Sequence, residues 1–234
     1  MRAFDFGKFK RCPFEIPEWF KSYYQPDEKT INHWQRQYEL AKENQSHELP
    51  EDCMRMPCNK LHQLMAKQFW SEVPKDFENI LDVGCSDGYM VRIFRESGKE
   101  ATGINDFLYP TDYLFIEEHN LDIRIMDMHK MDLEDESFDA VWCRHTLEHS
   151  YSPLQVLAEI HRVTRRGGYL FLAIPPIPHD NQPYAGHWHQ IPDYQLKYLL
   201  EMSNFLVLDL RTAWFSYERK NDNLEVRAIC RKGD

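Results

Sequence analysis

Asn79-Ile-Leu-Asp-Val-Gly-Cys-Ser-Asp-Gly88 is the stretch on which the fold turns. Ile80, Leu81 and Val83 make a short apolar run bounded by turn signals, the pattern of a buried strand. Gly84 and Gly88 mark a turn where backbone comes close to another group, and Tyr89-Met-Val-Arg-Ile-Phe-Arg95 follows at helical spacing. A strand, a glycine turn and a helix N-terminus together form a site for a nucleotide-like ligand. The spacing narrows the choice. A dinucleotide seats its pyrophosphate on G-x-G-x-x-G, whereas this turn reads Gly84-x-Ser86-x-Gly88. Asp82 at the strand end would repel a pyrophosphate and suits a cationic ligand, such as one bearing an amino group and a sulfonium.

Downstream, strand and helix patterns alternate, which implies a mainly parallel sheet. Strands are expected at 79–83, 100–104, 122–125, 138–143, 168–174, 205–211 and 224–231, with helices near 88–97, 110–118, 152–163 and 193–202. The last two strands are joined without a helix, so one of them should insert antiparallel. The expected fold class is therefore α/β, a seven-stranded, mostly parallel sheet with helices on both faces.

Upstream, residues 1–74 read as an arm and a helical cap, and residues 75–234 as the core. Residues 1–28 are rich in Pro and aromatics, suited to an arm packed on the core, a lid or a homodimer contact. Thr30 is placed to cap a helix with Ile31, Trp34, Tyr38 and Ala41 on one face. A second helix should start at Asn59, bury Leu61, Leu64, Met65, Phe69 and Val73, and stop at Pro74.

The length of 234 residues fits one domain with an appendage. The net charge of -10 opposes general binding to nucleic acid or anionic membranes, which needs clustered Lys and Arg. The start lacks the apolar segment of a secretory signal, and the most apolar run, Tyr169 to Ile174, is too short to span a bilayer. The six cysteines have no C-x-x-C pair or framework spacing, so reduced thiols in a cytoplasmic protein are expected.

The strand and glycine turn resemble motif I of the class I S-adenosylmethionine-dependent methyltransferases, usually Asp/Glu-x-Gly-x-Gly-x-Gly, with Ser86 in place of the middle glycine. Leu147-Glu-His149, Glu159-Ile-His-Arg-Val163 and Gly167-Gly168 before strand five also resemble the small-molecule, ubiquinone-pathway-like group. The likeness runs over about residues 78–174 and is absent from 1–60. It implies S-adenosylmethionine as cofactor and a Rossmann-like fold. Asp82 would lie by the methionine end, with backbone of Gly84, Cys85, Ser86 and Gly88 against the ligand. Asn105 stands where an acid usually takes both ribose hydroxyls, with Asp106 next to it. Asp127 and Met128 would recognise adenine, and Cys143 at the end of strand four would line the same cleft. The preceding helical segment would cover the methionine end, with Arg55 or Lys60 near its carboxylate. Ser86 fits the turn if its φ is negative.

Ligands of open α/β sheets bind at the carboxyl ends of the strands. The acceptor, a small molecule, should therefore lie between the strand-four exit, the loop after strand five, with Tyr184 and Trp188 as walls, and the N-terminal segment. A hydroxyl acceptor needs a base, for which His145, His149, His187 and His189 are candidates. If the strand-four exit is helical, His145, Glu148 and His149 share a face, and with His189 they would hold a divalent metal ion. That set is similar to Glu-x-x-Glu-His of metal-dependent ubiquinone-pathway O-methyltransferases and of small-RNA 2′-O-methyltransferases, with His145 at the first glutamate. Two alternatives stand beside a small-molecule methyltransferase: methylation of a nucleic-acid end, opposed by the acidic charge, and a degenerate cofactor-binding scaffold, which Ser86 and Asn105 keep open.

Overall fold

The computed structural model describes residues 27–43, 60–177, 187–217 and 220–233. In chain order the elements are α1 (Glu28–Glu43), α2 (Lys60–Glu72), β1 (Asn79–Val83), α3 (Tyr89–Glu96), β2 (Glu100–Asn105), α4 (Pro110–Glu118) and β3 (Asp122–Ile125). There follow β4 (Phe138–Arg144), a 3-10 turn (Leu147–His149), α5 (Pro153–Val163), β5 (Thr164–Ile174), α6 (Asp193–Met202), β6 (Phe205–Tyr217) and β7 (Lys220–Lys232). The seven strands form one sheet in the order β3-β2-β1-β4-β5-β7-β6. β1 to β5 run parallel, and β7 enters antiparallel between β5 and β6.

The central strands are buried on both faces, as their unbroken apolar runs require. Leu81, Val83, Val141 and Leu170 meet Val156, Leu157 and Ile160 of α5 and Leu196 and Leu200 of α6. On the other face, Ile80, Trp142 and Phe171 meet Phe69 and Trp70 of α2 and Val91 and Phe94 of α3. The Trp142 ring lies 4.8 Å from that of Phe69 and 5.6 Å from that of Phe94. α2 and β1, on either side of residue 74, thus share one hydrophobic cluster. No helix among the described residues is long and apolar enough to cross a membrane.

Local chemistry moves several expected boundaries. Asp27, not Thr30, caps α1: its carboxylate accepts the Thr30 N–H at 2.7 Å, which makes Thr30 the third helical residue. α1 packs against α4. Its Trp34 ring rests 4.6 Å from Tyr109 and 6.4 Å from Phe107, beside the exit of β2. β5 begins at Thr164, four residues before the expected 168, because Gly167 and Gly168 form a bulge instead of a preceding turn. Gly167 has φ 66°, and a Cβ on Gly168 would lie 2.7 Å from the Asp139 carbonyl.

The β3–β4 connection is clamped to α5. The Arg162 guanidinium donates to the Met131 and Leu133 carbonyls and to Asp135, and Glu159 accepts the Met131 N–H at 2.7 Å. The aromatic arm and its dimer contact, Arg55, Tyr184, and Cys12, Cys53 and Cys58 lie outside the described residues.

Candidate active site

The glycine turn closes on β2. The N–H groups of Gly84 and Cys85 both donate to the Ile104 carbonyl, at 2.9 and 3.0 Å, and the Gly88 N–H returns to the Cys85 carbonyl. Alternate residues are left-handed, with φ 76° at Gly84, 59° at Ser86 and 83° at Gly88. The negative φ expected of Ser86 is therefore not found. The turn needs positive φ there, and serine bears the steric cost that glycine would avoid. Two glycines also answer to packing. A Cβ on Gly84 would stand 2.2 Å from Thr146 Oγ1, and one on Gly88 would stand 2.8 Å from Leu121 Cδ1. Cys85 turns its thiol inward against Gly103, so it offers the cleft only its backbone.

Asp82 sits next to the turn and is only 3% exposed. Burial, reinforced by Asp87 and opposed by Arg144, pushes its carboxyl up to about 8. A cationic group placed beside it would restore the charge, and so a buried acid at this strand tip fits an amino-bearing ligand. Cys143, at the end of β4, is buried, and burial raises its thiol far from reactivity. At the tip of β2, Asn105 Oδ1 accepts the Ser86 N–H at 3.4 Å, and its amide donates to the Phe107 carbonyl. Asp106 is exposed and accepts the Phe107 N–H. Asp127 follows β3, and Oδ1 accepts the backbone N–H and the ring Nδ1 of His129, both at 2.8 Å. Met128 is half-buried against the core.

The exit of β4 is not helical at its start. His145 is left-handed, φ 51°, and the 3-10 turn begins only at Leu147, so His145 does not share a face with Glu148 and His149. Its N–H donates to the Ala173 carbonyl, and its Nε2 lies 3.1 Å from Glu225 Oε2 on β7. Burial pulls the His145 imidazole down to about 4. Glu225 would be raised by burial, but His145, Arg144 and Arg227 together hold it down at about 2. Around it Arg144 approaches Oε2 at 2.9 Å, Arg227 approaches Oε1 at 2.7 Å, and Arg227 reaches on to Glu72 at 2.9 Å. His62 of α2 lies with its ring 5.2 Å from that of His145. Sequence reasoning misses this ionic group. Its members stand on α2, β4 and β7, and a single sequence carries no signal that joins them.

A second cluster stands at the 3-10 turn. Glu148 is 1% exposed, and among the described residues neither carboxylate oxygen has a hydrogen-bond partner. Burial pushes it up to about 8. The Glu148 carbonyl accepts the N–H groups of Trp188 and His189 at 2.9 and 3.2 Å, which brings the post-β5 segment over the turn. The His149 and His187 rings then meet edge to face at 4.8 Å, and burial beside His149 lowers His187 to about 4. Ligand atoms of Glu148, His149 and His187 all lie within 4.8 Å of one another. The four-residue set expected for a metal thus changes. His145 is held by Glu225, the His189 ring is engaged with the backbone of Ser150 and Tyr151, and His187 takes the place beside Glu148 and His149.

Residues 81–172 match a family model described as a methyltransferase domain. Over 123 residues, 49% of this chain and 48% of the relative, the sequence is 31% identical to a ubiquinone biosynthesis O-methyltransferase of Hydrogenovibrio crunogenus. Over 101 residues, 40% of this chain and 26% of the relative, it is 35% identical to a sterol 24-C-methyltransferase of Gibberella zeae. The matched stretch spans about half or less of these curated relatives. The fold is also that of an S-adenosylmethionine-dependent methyltransferase from Archaeoglobus fulgidus, with TM-score 0.59, 17% identity, and coverage of 74% of this chain and 94% of that one.

Proposed function

We propose that this chain is a class I S-adenosylmethionine-dependent methyltransferase that transfers a methyl group to an oxygen or nitrogen of a small molecule. The observation that carries this is Asp82, a buried acid next to a turn whose alternate residues are all left-handed. Asp82 would pair with the cofactor's amino group. The Gly84–Gly88 backbone would lie along the cofactor, Asn105 and Asp106 would meet the ribose, and Asp127 and Met128 the adenine. When bound, the cofactor supplies an electrophilic methyl on a sulfonium.

The chain's own work is alignment and proton removal. Holding the acceptor in line with the methyl is worth roughly 7–11 kcal/mol, and a positioned base adds about 10²–10⁴-fold. His145 is neutral near pH 7 and is oriented by Glu225, so its imidazole can accept a proton. His149 and His187 are the other candidates. Cys85, Cys143 and Cys230, buried and outside any disulfide among the described residues, suit a reducing, cytoplasmic setting. The test uses methyl-labelled cofactor and a low-molecular-weight cell extract. Label should appear in a small product, and label in nucleic acid or protein instead would contradict the proposal.

A metal-assisted version is favoured by one observation, the unbonded buried carboxylate of Glu148 facing His149 and His187. Those three residues would hold a divalent ion, which lowers the pKa of an acceptor hydroxyl. Metal analysis of the purified protein should find about one ion, lost in His149→Ala. Neither a bound nor an activating ion would end this version.

A further inference from the structure

His129, four residues beyond the end of β3, is 6% exposed and tied on both sides. Its Nδ1 lies 2.8 Å from Asp127 Oδ1, and its Nε2 lies 2.9 Å from Ser150 Oγ. A carboxylate accepts, so Nδ1 carries the proton, and Nε2 is left to accept from the Ser150 hydroxyl. Ser150 is fully buried, and its Oγ also accepts the Ser152 N–H, so it is an anchor and cannot serve as a nucleophile. The imidazole is further clasped by Tyr151, stacked at 3.6 Å, and the His129 backbone carbonyl accepts the Gln155 amide at 2.9 Å. The order Ser150, His129, Asp127 fixes the rotation of one carboxylate at the tip of β3. It also joins that carboxylate to the turn that bears Glu148 and His149.

We propose that His129 is a positioning residue for nucleobase recognition, acting through Asp127 and anchored by Ser150. This rests on Asp127 as the acceptor of the adenine amino group. With Oδ1 held by two N–H donors from His129, the carboxylate cannot rotate away from the base it reads. The same relay means that a shift of the Leu147–His149 turn is felt at the adenine end of the cleft.

The test compares binding of S-adenosylhomocysteine with S-inosylhomocysteine, which carries a 6-oxo group in place of the 6-amino group. Wild-type protein should prefer the adenine compound by about tenfold to a hundredfold, the scale of a hydrogen bond to a charged group. His129→Gln keeps a partner for Ser150 but removes the donor to Asp127, and it should lose most of that preference. His129→Asn keeps an amide donor near the Nδ1 position and should retain it. Ser150→Ala, should either histidine variant fail to fold, should also reduce the preference. Equal weakening of both compounds, with their ratio unchanged, would make His129 merely structural and overturn the proposal. A wild-type preference that survives in Asp127→Ala would overturn the underlying role of Asp127, and with it this proposal. The two failures are thereby distinguished.

Discussion

Ser86 holds φ 59° with a Cβ, a conformation that costs an L-residue about 1–2 kcal/mol. Ser86→Gly should therefore leave the fold intact and raise its stability by about 0.5–1 kcal/mol, once the extra freedom of unfolded glycine is discounted. Gly84→Ala should do the opposite. Its Cβ would meet Thr146 Oγ1 at 2.2 Å at a φ of 76°, and a loss of about 3 kcal/mol or more is expected in denaturant unfolding. Asp82 sets a pH dependence. Its folded carboxyl titrates at about 8 against an ordinary value of 3.8, so between those values the folded state binds more protons than the unfolded state. Its contribution to the free protein's stability therefore falls as pH rises through that window. His145, His161 and His187, lowered to about 4, act in the opposite sense up to their ordinary 6.5. The fall should be clearest from about pH 6.5 to 8, and thermal melts of Asp82→Asn should show a shallower decline there. At this scale the sequence is legible where chemistry is local. The acid and the two glycines stand out, whereas the Gly84–Thr146 contact and the Asp127–His129–Ser150 chain join residues that only the fold brings together.

Elements were legible in proportion to their periodicity. β1, α3, β4 and α5 follow from apolar spacing, since each is a local pattern buried by a sheet. The start of β5 was not, because a glycine pair can precede a strand or bulge within it, and the choice depends on the neighbouring Asp139 carbonyl. The exit of β4 is likewise not legible from spacing. Helical spacing of His145, Glu148 and His149 has no force when His145 is left-handed and bonded across to β7. Insertion of β7 places Glu225 between two buried arginines, Arg144 at 9% and Arg227 at 1% side-chain exposure. Removing the shared carboxylate takes the acid from buried Arg144 and leaves Arg227 with Glu72 as its acid, so Glu225→Ala should cost about 3–5 kcal/mol in chemical denaturation. Activity lost in a Glu225→Gln variant that still folds would point to the orientation of His145 as its role.

For the whole molecule, a mostly parallel sheet with one antiparallel strand follows from alternating patterns and a helix-free last connection, whereas the order of the strands in the sheet comes from the fold. Such a sheet opens its ligand crevice at the strand tips. Asp82, Asn105 and Asp127 stand at or just beyond the ends of β1, β2 and β3, which brings residues scattered along the chain to one edge of three adjacent strands. What occupies that cleft is the central question, and calorimetric titration of S-adenosylhomocysteine into the full chain near pH 7 addresses it directly. Saturable one-site binding is expected, weakened about tenfold or more in Asp82→Ala, the scale of a lost charge-assisted contact. No heat of binding at millimolar ligand, or equal affinity in the variant, would contradict a cofactor held at the tip of β1.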